Sequence, residues 1–104
     1  GLSSFAVEML DTATILRDAS NQTLVLVDEL GRGTETRAGS AIAGAVLEEL
    51  VQKGCRGVFT THLHEIFDLP LHLGGVQYLR MEIEMRDDES WTPTWRLVQG
   101  RCID

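Results

Sequence analysis

The sequence predicts an α/β fold in which a parallel pair of core strands is followed by an antiparallel hairpin. Three observations predict it. Two short apolar runs each follow a segment with helical spacing, and the final third of the chain has apolar residues at every second position. The chain has 104 residues, 43% of them hydrophobic. It is therefore expected to form at most one small domain.

The first predicted element is a helix over residues 5–18. Its apolar residues recur at steps of four, four and three, which places them on one helical face. They are Phe5, Met9, Ala13 and Leu16. Ser3 and Ser4 precede the run, and serine is a favourable N-cap because its hydroxyl accepts a backbone N–H. Glu8 is expected to interact favourably with the helix dipole.

Two short runs predict buried strands, the first of them buried on both faces. The first covers residues 23–27 without polar alternation and ends in two acids, Asp28 and Glu29. The second covers residues 57–61 and is followed at once by His62. If the strands are parallel neighbours, these polar groups converge, because chemistry gathers at the carboxyl ends of strands in open α/β sheets.

A second helix is predicted between the strands, over residues 35–53. Its apolar stripe consists of Ile42, Val46 and Leu50, and Gly54 is suited to its C-cap. Several small residues are expected to let it lie close against the sheet. They are Ala38, Gly39, Ala41, Ala43, Gly44 and Ala45. A brief third helix is predicted to run to Phe67.

The region from Val76 onward predicts a hairpin with one solvated side and a polar turn at residues 86–90. The apolar positions are Leu79, Met81, Ile83 and Met85 on the first strand and Trp91, Pro93, Trp95 and Leu97 on the second. We expect both tryptophans to form the core of the hairpin, and Met81 and Met85 to be packed. The turn acids are expected to be solvated.

Composition and charge argue against several function classes. Lys and Arg number 9 against 16 Asp and Glu, a formal net charge of −7. A surface that follows nucleic-acid phosphates normally has the opposite balance, so this stretch is not expected to hold DNA or RNA by charge alone. No apolar run approaches the roughly 20 residues that span a membrane. Cys55 and Cys102 lack disulfide-framework or metal-type spacing.

The residues at the predicted strand ends suit phosphoryl transfer. One carboxylate can hold Mg²⁺ through water, a second can orient or deprotonate an attacking water, and an imidazole can hydrogen-bond to either participant. The pair Asp28-Glu29 alone leaves the function open, because a chain leaving a core often becomes acidic. The glycine-containing loop at residues 31–34, together with His62, favours the nucleotide interpretation.

Three segments resemble the MutS family of DNA mismatch-repair ATPases. Residues 24–34, LVLVDELGRGT, are similar to its Walker B and D-loop segment, and residues 3–9, SSFAVEM, to its serine-containing signature loop. Residues 60–62, followed by Glu65 and the pair at 69–70, match its switch-histidine segment. The hairpin also fits the family pattern. Details at residues 35–36 and 62–67 look more like the organellar homologues of plants and algae.

This resemblance implies that residues 1–104 are the C-terminal portion of a P-loop NTPase fold of ABC type. It implies that Asp28 contacts the Mg²⁺ of bound ATP through water, that Glu29 is the catalytic carboxylate, and that His62 senses the γ-phosphate. Ser3 is expected to reach the γ-phosphate bound by a second MutS-type subunit. The residues expected at that dimer interface are Gly31, Arg32, Gly33 and Thr34.

The complete protein is then expected to hydrolyse ATP as a homo- or heterodimer and to bind mismatched double-stranded DNA through other domains. The phosphate-binding motif Gly-x-x-x-x-Gly-Lys-Ser/Thr is absent and Lys53 is the only lysine, so we expect that loop upstream. The isolated chain is expected to be inactive and prone to aggregation, because strand edges are left uncovered. The resemblance implies an intracellular location: a mitochondrion, a chloroplast, a nucleus or the bacterial cytoplasm.

Other functions remain as alternatives. A metal-dependent hydrolase could chelate an ion with His62 and His64, although Ile66 and Phe67 stand where an HxHxDH motif needs Asp and His. Its further ligands would be Glu65, Asp68 or His72. Another ABC-type ATPase would usually carry a Ser-Gly-Gly signature, which residues 3–5 do not provide. A degenerate ATPase half that only dimerises is disfavoured by its intact acids and histidine.

Overall fold

The computed structural model describes residues 3–101 of the chain. The elements are α1 (Ser4–Asp18), β1 (Leu24–Asp28), α2 (Thr36–Gln52), β2 (Arg56–Thr60), a 3₁₀ helix (His64–Asp68), β3 (Leu79–Met85) and β4 (Trp91–Gln99). β1 and β2 pair in parallel, and β3 and β4 pair antiparallel. The predicted α/β architecture with a trailing hairpin is therefore confirmed.

Both α-helices begin at a side-chain cap. The hydroxyl of Ser3 accepts the N–H of Ala6 at 3.1 Å, which confirms the predicted serine cap of α1. Glu35 caps α2 through its carboxylate. At the other end the C-cap is Lys53, one residue before the predicted position. Gly54 follows with φ +73°, a left-handed conformation that glycine adopts at low cost.

The core lies on one face of the parallel pair, where both helices pack. Its buried members are Ala19, Val25, Leu30, Val46 and Leu50, with Met9, Leu16, Val27, Ile42 and Cys55 packed against them. The predicted stripe of α2 is thus confirmed. On α1 the predicted face contributes Met9 and Leu16, while Phe5 is half-buried and Ala13 is exposed.

The opposite face of the parallel pair is uncovered in the part of the chain that the structure describes. Leu24 and Leu26 are each 72% exposed, and Val58 is 61% exposed. The predictions that β1 is buried on both faces and that β2 is buried are therefore wrong for residues 3–101. The helices supply apolar cover to one face only, so side chains that point to the other face meet solvent. Of β2, only Phe59 is half-buried.

The segment after β2 packs on α2 at Gly44. Ile66 of the 3₁₀ helix is 1% exposed. A Cβ on Gly44 would lie 2.9 Å from Cδ1 of Leu69 and 3.1 Å from Cδ1 of Leu71. This glycine, predicted to bring α2 close to the sheet, instead makes room for the segment that follows β2.

The hairpin contains a bulge in β4. Three residues, 94–96, stand opposite the single residue Glu82 of β3. Pro93 at the start of the bulge has no N–H for the ladder, and Trp95 in its middle has φ +63°. Nε of Arg96 lies 3.4 Å from Oε2 of Glu82, so the bulge brings this cation to the polar side of β3.

The apolar side of the hairpin, which the sequence predicts to be packed, is exposed. The exposed fractions are 57% for Trp91, 81% for Trp95, 44% for Met81 and 54% for Met85. The polar side is the more covered one, with Arg80 and Glu82 half-buried. The predictions that the tryptophans form a core and that the methionines pack are wrong for residues 3–101, because no described element lies on this side.

A small aromatic contact joins the hairpin to the rest of the chain. The rings of Phe67 and Tyr78 meet edge to face with centroids 5.4 Å apart, and the Arg101 guanidinium lies 4.5 Å from the Phe67 centroid. The radius of gyration is 15.4 Å, whereas a compact domain of this length has about 13 Å. The hairpin therefore projects from the α/β unit.

The hairpin turn is solvated, as predicted from its acids. Residues 87–89 are exposed, and Glu89 has φ +66°. The hydroxyl of Ser90 donates to Oδ1 of Asp88 at 2.6 Å and its backbone N–H donates at 3.0 Å. These two bonds hold the pKa of the Asp88 carboxyl below its ordinary value, because they favour the charged form.

Cys55 is a free thiol and is half-buried. Cys102 lies outside the described residues. Within residues 3–101, neither helix combines the length and the apolar character needed to cross a membrane.

Candidate functional site

The parallel register aligns the ends of the two core strands. Asp28, the last residue of β1, pairs with Thr60, the last residue of β2. The Thr60 hydroxyl donates to Oδ1 of Asp28 at 2.7 Å, and the Glu29 N–H donates to the Thr60 carbonyl at 2.9 Å. The sequence motif at residues 60–62 assigns no individual role to Thr60. The signal for it is the register itself, because pairing the two strand ends places this hydroxyl beside the acid.

Glu29 leaves β1 in a left-handed conformation. Its φ is +56°, which is uncommon for a residue other than glycine, and such a conformation costs on the order of 1–3 kcal/mol. Its surroundings hold it there, since its N–H is bonded to β2 and the next residue, Leu30, is 4% exposed in the core. Backbone of this kind persists where neighbouring structure determines it, and it is common at functional sites.

Two ionisable side chains contact the carboxylate of Glu29. Nε2 of His62 lies 2.7 Å from Oε1, and the Arg32 guanidinium forms an ion pair with Oε2. The Glu29 side chain is 23% exposed, whereas those of His62 and Arg32 are 84% and 77% exposed. The structure thus brings together Glu29 and His62, and it adds Arg32. Both oxygens of a fixed carboxylate face groups that are free to turn toward solvent.

The loop at residues 31–34 has a buried start and an exposed tip. Gly31 is buried with φ +87°, and a Cβ there would lie 2.6 Å from the carbonyl oxygen of Gly39. The close approach of these two backbones requires glycine. Arg32 and Gly33 are exposed and Thr34 is half-buried. The residues of this loop that can meet another molecule are therefore those at its tip.

Helix α1 begins beside this loop. A Cβ on Gly33 would lie 3.4 Å from the Cβ of Phe5, so exposed Ser3 lies at the same end of the helix. Farther along, Oε1 of Glu8 accepts the N–H of Gly31 at 2.9 Å. The expectation that Glu8 acts on the helix dipole is wrong, because no acid lies in the first turn. The Glu8 carboxylate instead accepts a hydrogen bond from the loop.

The donor set at the strand ends fits a cation held through water. Asp28 is exposed, and Thr60 fixes the orientation of its carboxylate. Mg²⁺ commonly uses one or two carboxylates and keeps several waters. Among residues 3–101, no three His, Cys, Asp or Glu side chains gather as a direct metal site. The hydrolase alternative therefore lacks its ligand cluster there, and the nearest acid to His62 is Glu29.

Comparison with known proteins decides the family. The family model of MutS domain V matches residues 1–103. The chain belongs to the MutS family. The resemblance identified from the three sequence motifs is therefore confirmed.

Individual members of the MutS family match almost the whole chain. It is 46% identical over 102 residues to "DNA mismatch repair protein MSH1, mitochondrial" of Arabidopsis thaliana. That alignment covers 98% of this chain and 9% of the Arabidopsis protein. It is 48% identical to "DNA mismatch repair protein MutS" of Lawsonia intracellularis and 38% identical to "DNA mismatch repair protein MSH2" of Saccharomyces cerevisiae. Each of these two alignments covers 96% of this chain and 11% of the relative.

This MutS-family chain thus spans about a tenth of the length of the relatives it matches. The plant mitochondrial relative agrees with the organellar details in the sequence. Bacterial relatives are as similar, at 48–49% identity, so the subfamily stays a prediction.

Proposed function

We propose that this chain supplies part of the ATP-hydrolysing site of a DNA mismatch-repair ATPase, within a P-loop fold of ABC type. One observation carries the proposal. A carboxylate one residue beyond a strand-end acid, Glu29 after Asp28, lies 2.7 Å from the imidazole of His62. Two acids and an imidazole therefore meet at the carboxyl ends of parallel strands. Groups of these kinds can position a water and a phosphate for phosphoryl transfer.

The first acid is proposed to hold Mg²⁺ through water. Asp28 is exposed, and the hydrogen bond from Thr60 fixes its carboxylate, so the oxygen positions are set before the cation binds. When bound with ATP, Mg²⁺ supplies positive charge against the phosphate oxygens. The neighbouring residues fit this ion because Asp28 and Glu29 are consecutive acids and Thr60, the last residue of β2, places a neutral hydroxyl oxygen beside Asp28.

The second acid is proposed to orient and deprotonate the attacking water. As the structure stands, both oxygens of Glu29 are engaged, one by His62 and one by Arg32. A carboxylate accepts about four hydrogen bonds, so a water can bind to Glu29 beside these two partners, and it would share the carboxylate's charge with fewer groups once one of the exposed side chains turns away. His62 is the group proposed to follow the γ-phosphate, which would draw its imidazole from Glu29.

The remaining parts of the site are proposed to come from elsewhere. Ser3 would contact the γ-phosphate held by a second MutS-type subunit, and the exposed tip of the loop, Arg32 and Gly33, would lie at that interface with Gly31 and Thr34 supporting it. The phosphate-binding loop would be supplied by chain outside these residues. Mismatched double-stranded DNA would be bound by other domains, consistent with the net charge of −7 here.

The test is Glu29→Gln in the complete gene product, with ATP binding and single-turnover hydrolysis measured separately. Loss of a positioned base should slow hydrolysis by roughly 10²–10⁴-fold. Nucleotide binding should be retained, since the amide keeps the size of the side chain. Glu49→Gln, at an exposed acid of α2, is the matched control. Unchanged hydrolysis in Glu29→Gln would refute the catalytic assignment.

A further inference from the structure

We propose that Glu8 of α1 is a positioning residue for Glu29, acting through the main chain of Gly31. The proposal rests on the proposed function of Glu29 as the catalytic carboxylate. α1 and β1 are separate elements, and the Glu8 carboxylate is hydrogen-bonded to the turn that follows Glu29. A helix side chain thereby sets the backbone from which the carboxylate projects.

The Glu8 carboxylate accepts a hydrogen bond from a backbone N–H and forms no ion pair with a cation among the described residues. Its Oε1 accepts the Gly31 N–H at 2.9 Å in a half-buried position. None of the ion pairs within residues 3–101 includes Glu8. A charged acceptor on a neutral N–H gives a shorter and stronger bond than a neutral acceptor. The charge of Glu8 is therefore directed at this one turn.

The turn has few other means of support. Leu30 anchors it in the core, the Glu29 N–H is bonded to Thr60, and Gly31 lies against the backbone of Gly39. These contacts hold a left-handed residue, Glu29, two residues before the buried Gly31, which has φ +87°. Without Glu8 the Gly31 N–H loses its acceptor at a buried position, which is costly unless the turn shifts to reach water.

A shift of this turn would move the Glu29 carboxylate away from the reacting water. Misplacement of about 1 Å at a catalytic group can reduce the rate by 10²-fold, without contact between the altered residue and the substrate. Nucleotide affinity should change little, because the groups proposed to hold ATP and Mg²⁺ do not include Glu8. The signature of positioning is therefore a fall in kcat at constant KM.

The experiment compares Glu8→Ala, Glu8→Gln and Asp11→Ala in the complete gene product. Glutamine keeps an oxygen that can accept the Gly31 N–H, so it should rescue the turn. Asp11 is an exposed acid of the same helix, one turn farther on, with no side-chain hydrogen bond among the described residues. Steady-state ATP hydrolysis and thermal melting are measured on all three variants.

We expect Glu8→Ala to lower kcat by about ten- to a hundredfold with KM for ATP within twofold of the wild type. Glu8→Gln should stay within threefold, and Asp11→Ala should be unchanged. Equal loss in the alanine and glutamine variants, or kcat within twofold for alanine, would overturn the proposal. Failure of Glu29→Gln to slow hydrolysis would instead refute the catalytic assignment, so the two failures are distinguishable.

Discussion

Nε2 of His62 lies 2.7 Å from Oε1 of Glu29, and the two residues follow the ends of neighbouring parallel strands. Their side chains differ greatly in exposure, at 84% for the histidine and 23% for the glutamate. The carboxylate is therefore the fixed member of the pair, and the imidazole is the one that can move with little loss of packing. A group of this kind is suited to respond to a phosphate that arrives from solvent.

Replacement of that imidazole should slow hydrolysis and leave binding intact. In His62→Ala we expect ATP hydrolysis to fall by roughly 10²–10³-fold, because a positioned hydrogen-bonding group near the water is lost. ATP affinity, measured by equilibrium titration, should change by less than about threefold, which corresponds to a change in binding free energy of less than about 1 kcal/mol. His72→Ala is the control, at an exposed histidine outside the strand ends. Equal effects of both substitutions would contradict the assignment.

Thr60 should tune the affinity for Mg²⁺. Its hydroxyl donates to Oδ1 of Asp28 at 2.7 Å, so Thr60→Val removes a partner that orients the proposed metal-binding carboxylate. Loss of such a partner typically costs 10–100-fold in metal affinity. We therefore expect the Mg²⁺ concentration for half-maximal hydrolysis to rise about tenfold. Thr60→Ser keeps the hydroxyl and should behave as the wild type. An unchanged Mg²⁺ dependence in Thr60→Val would contradict the proposal that Asp28 holds the metal ion.

The sequence predicts local elements and strand ends well because these depend on spacing. The acids after β1, the histidine after β2 and the serine cap of α1 all follow from hydrophobic runs and the polar residues that end them. What it could not predict depends on contacts between elements. The bond from Glu8 to Gly31 and the position of Gly44 beneath Leu69 both require the packing of separate segments.

The burial of the strand residues differs from the sequence prediction for a related reason. Apolar runs predict which faces of a strand are suited to burial. The structure shows which of these faces are buried by the described residues themselves. Leu26 and Trp95 carry apolar side chains on strands, yet they are 72% and 81% exposed. Their spacing is typical of packed residues. The spacing does not show whether another helix or strand covers them.

The contact between Gly31 and Gly39 should be intolerant of a single methyl group. A Cβ on Gly39 would overlap the carbonyl oxygen of Gly31, and both positions are buried, so neither backbone can yield without moving the loop. We expect Gly39→Ala to destabilise the domain by about 1–3 kcal/mol. Chemical denaturation of the complete gene product, followed with a probe in this domain, measures it.

Gly74→Ala is the matched control, because a Cβ there meets no atom within 4 Å. It should leave stability within about 0.5 kcal/mol of the wild type. A Gly39→Ala variant as stable as this control would show that the loop and α2 are not held at this distance.

The isolated chain should self-associate through its uncovered strand faces. Leu24, Leu26 and Val58 lie on one side of β1 and β2, and each is more than half exposed. Apolar sheet surface without a covering element tends to pair with other molecules, and within the described residues each of the two strands also has one unpaired edge. We expect residues 1–104 alone to bind a hydrophobic dye and to elute as oligomers in size-exclusion chromatography.

Substitution of these three residues by threonine should reduce both signals, because threonine keeps strand propensity and adds a hydroxyl. The hairpin carries a second exposed apolar side, so the same change at Met81 and Ile83 tests whether that surface acts independently. If the parallel pair dominates, only the first set restores a monomer. A sharp, cooperative melt of the unaltered chain as a soluble monomer would contradict the prediction, since it would require these faces to be satisfied within residues 1–104.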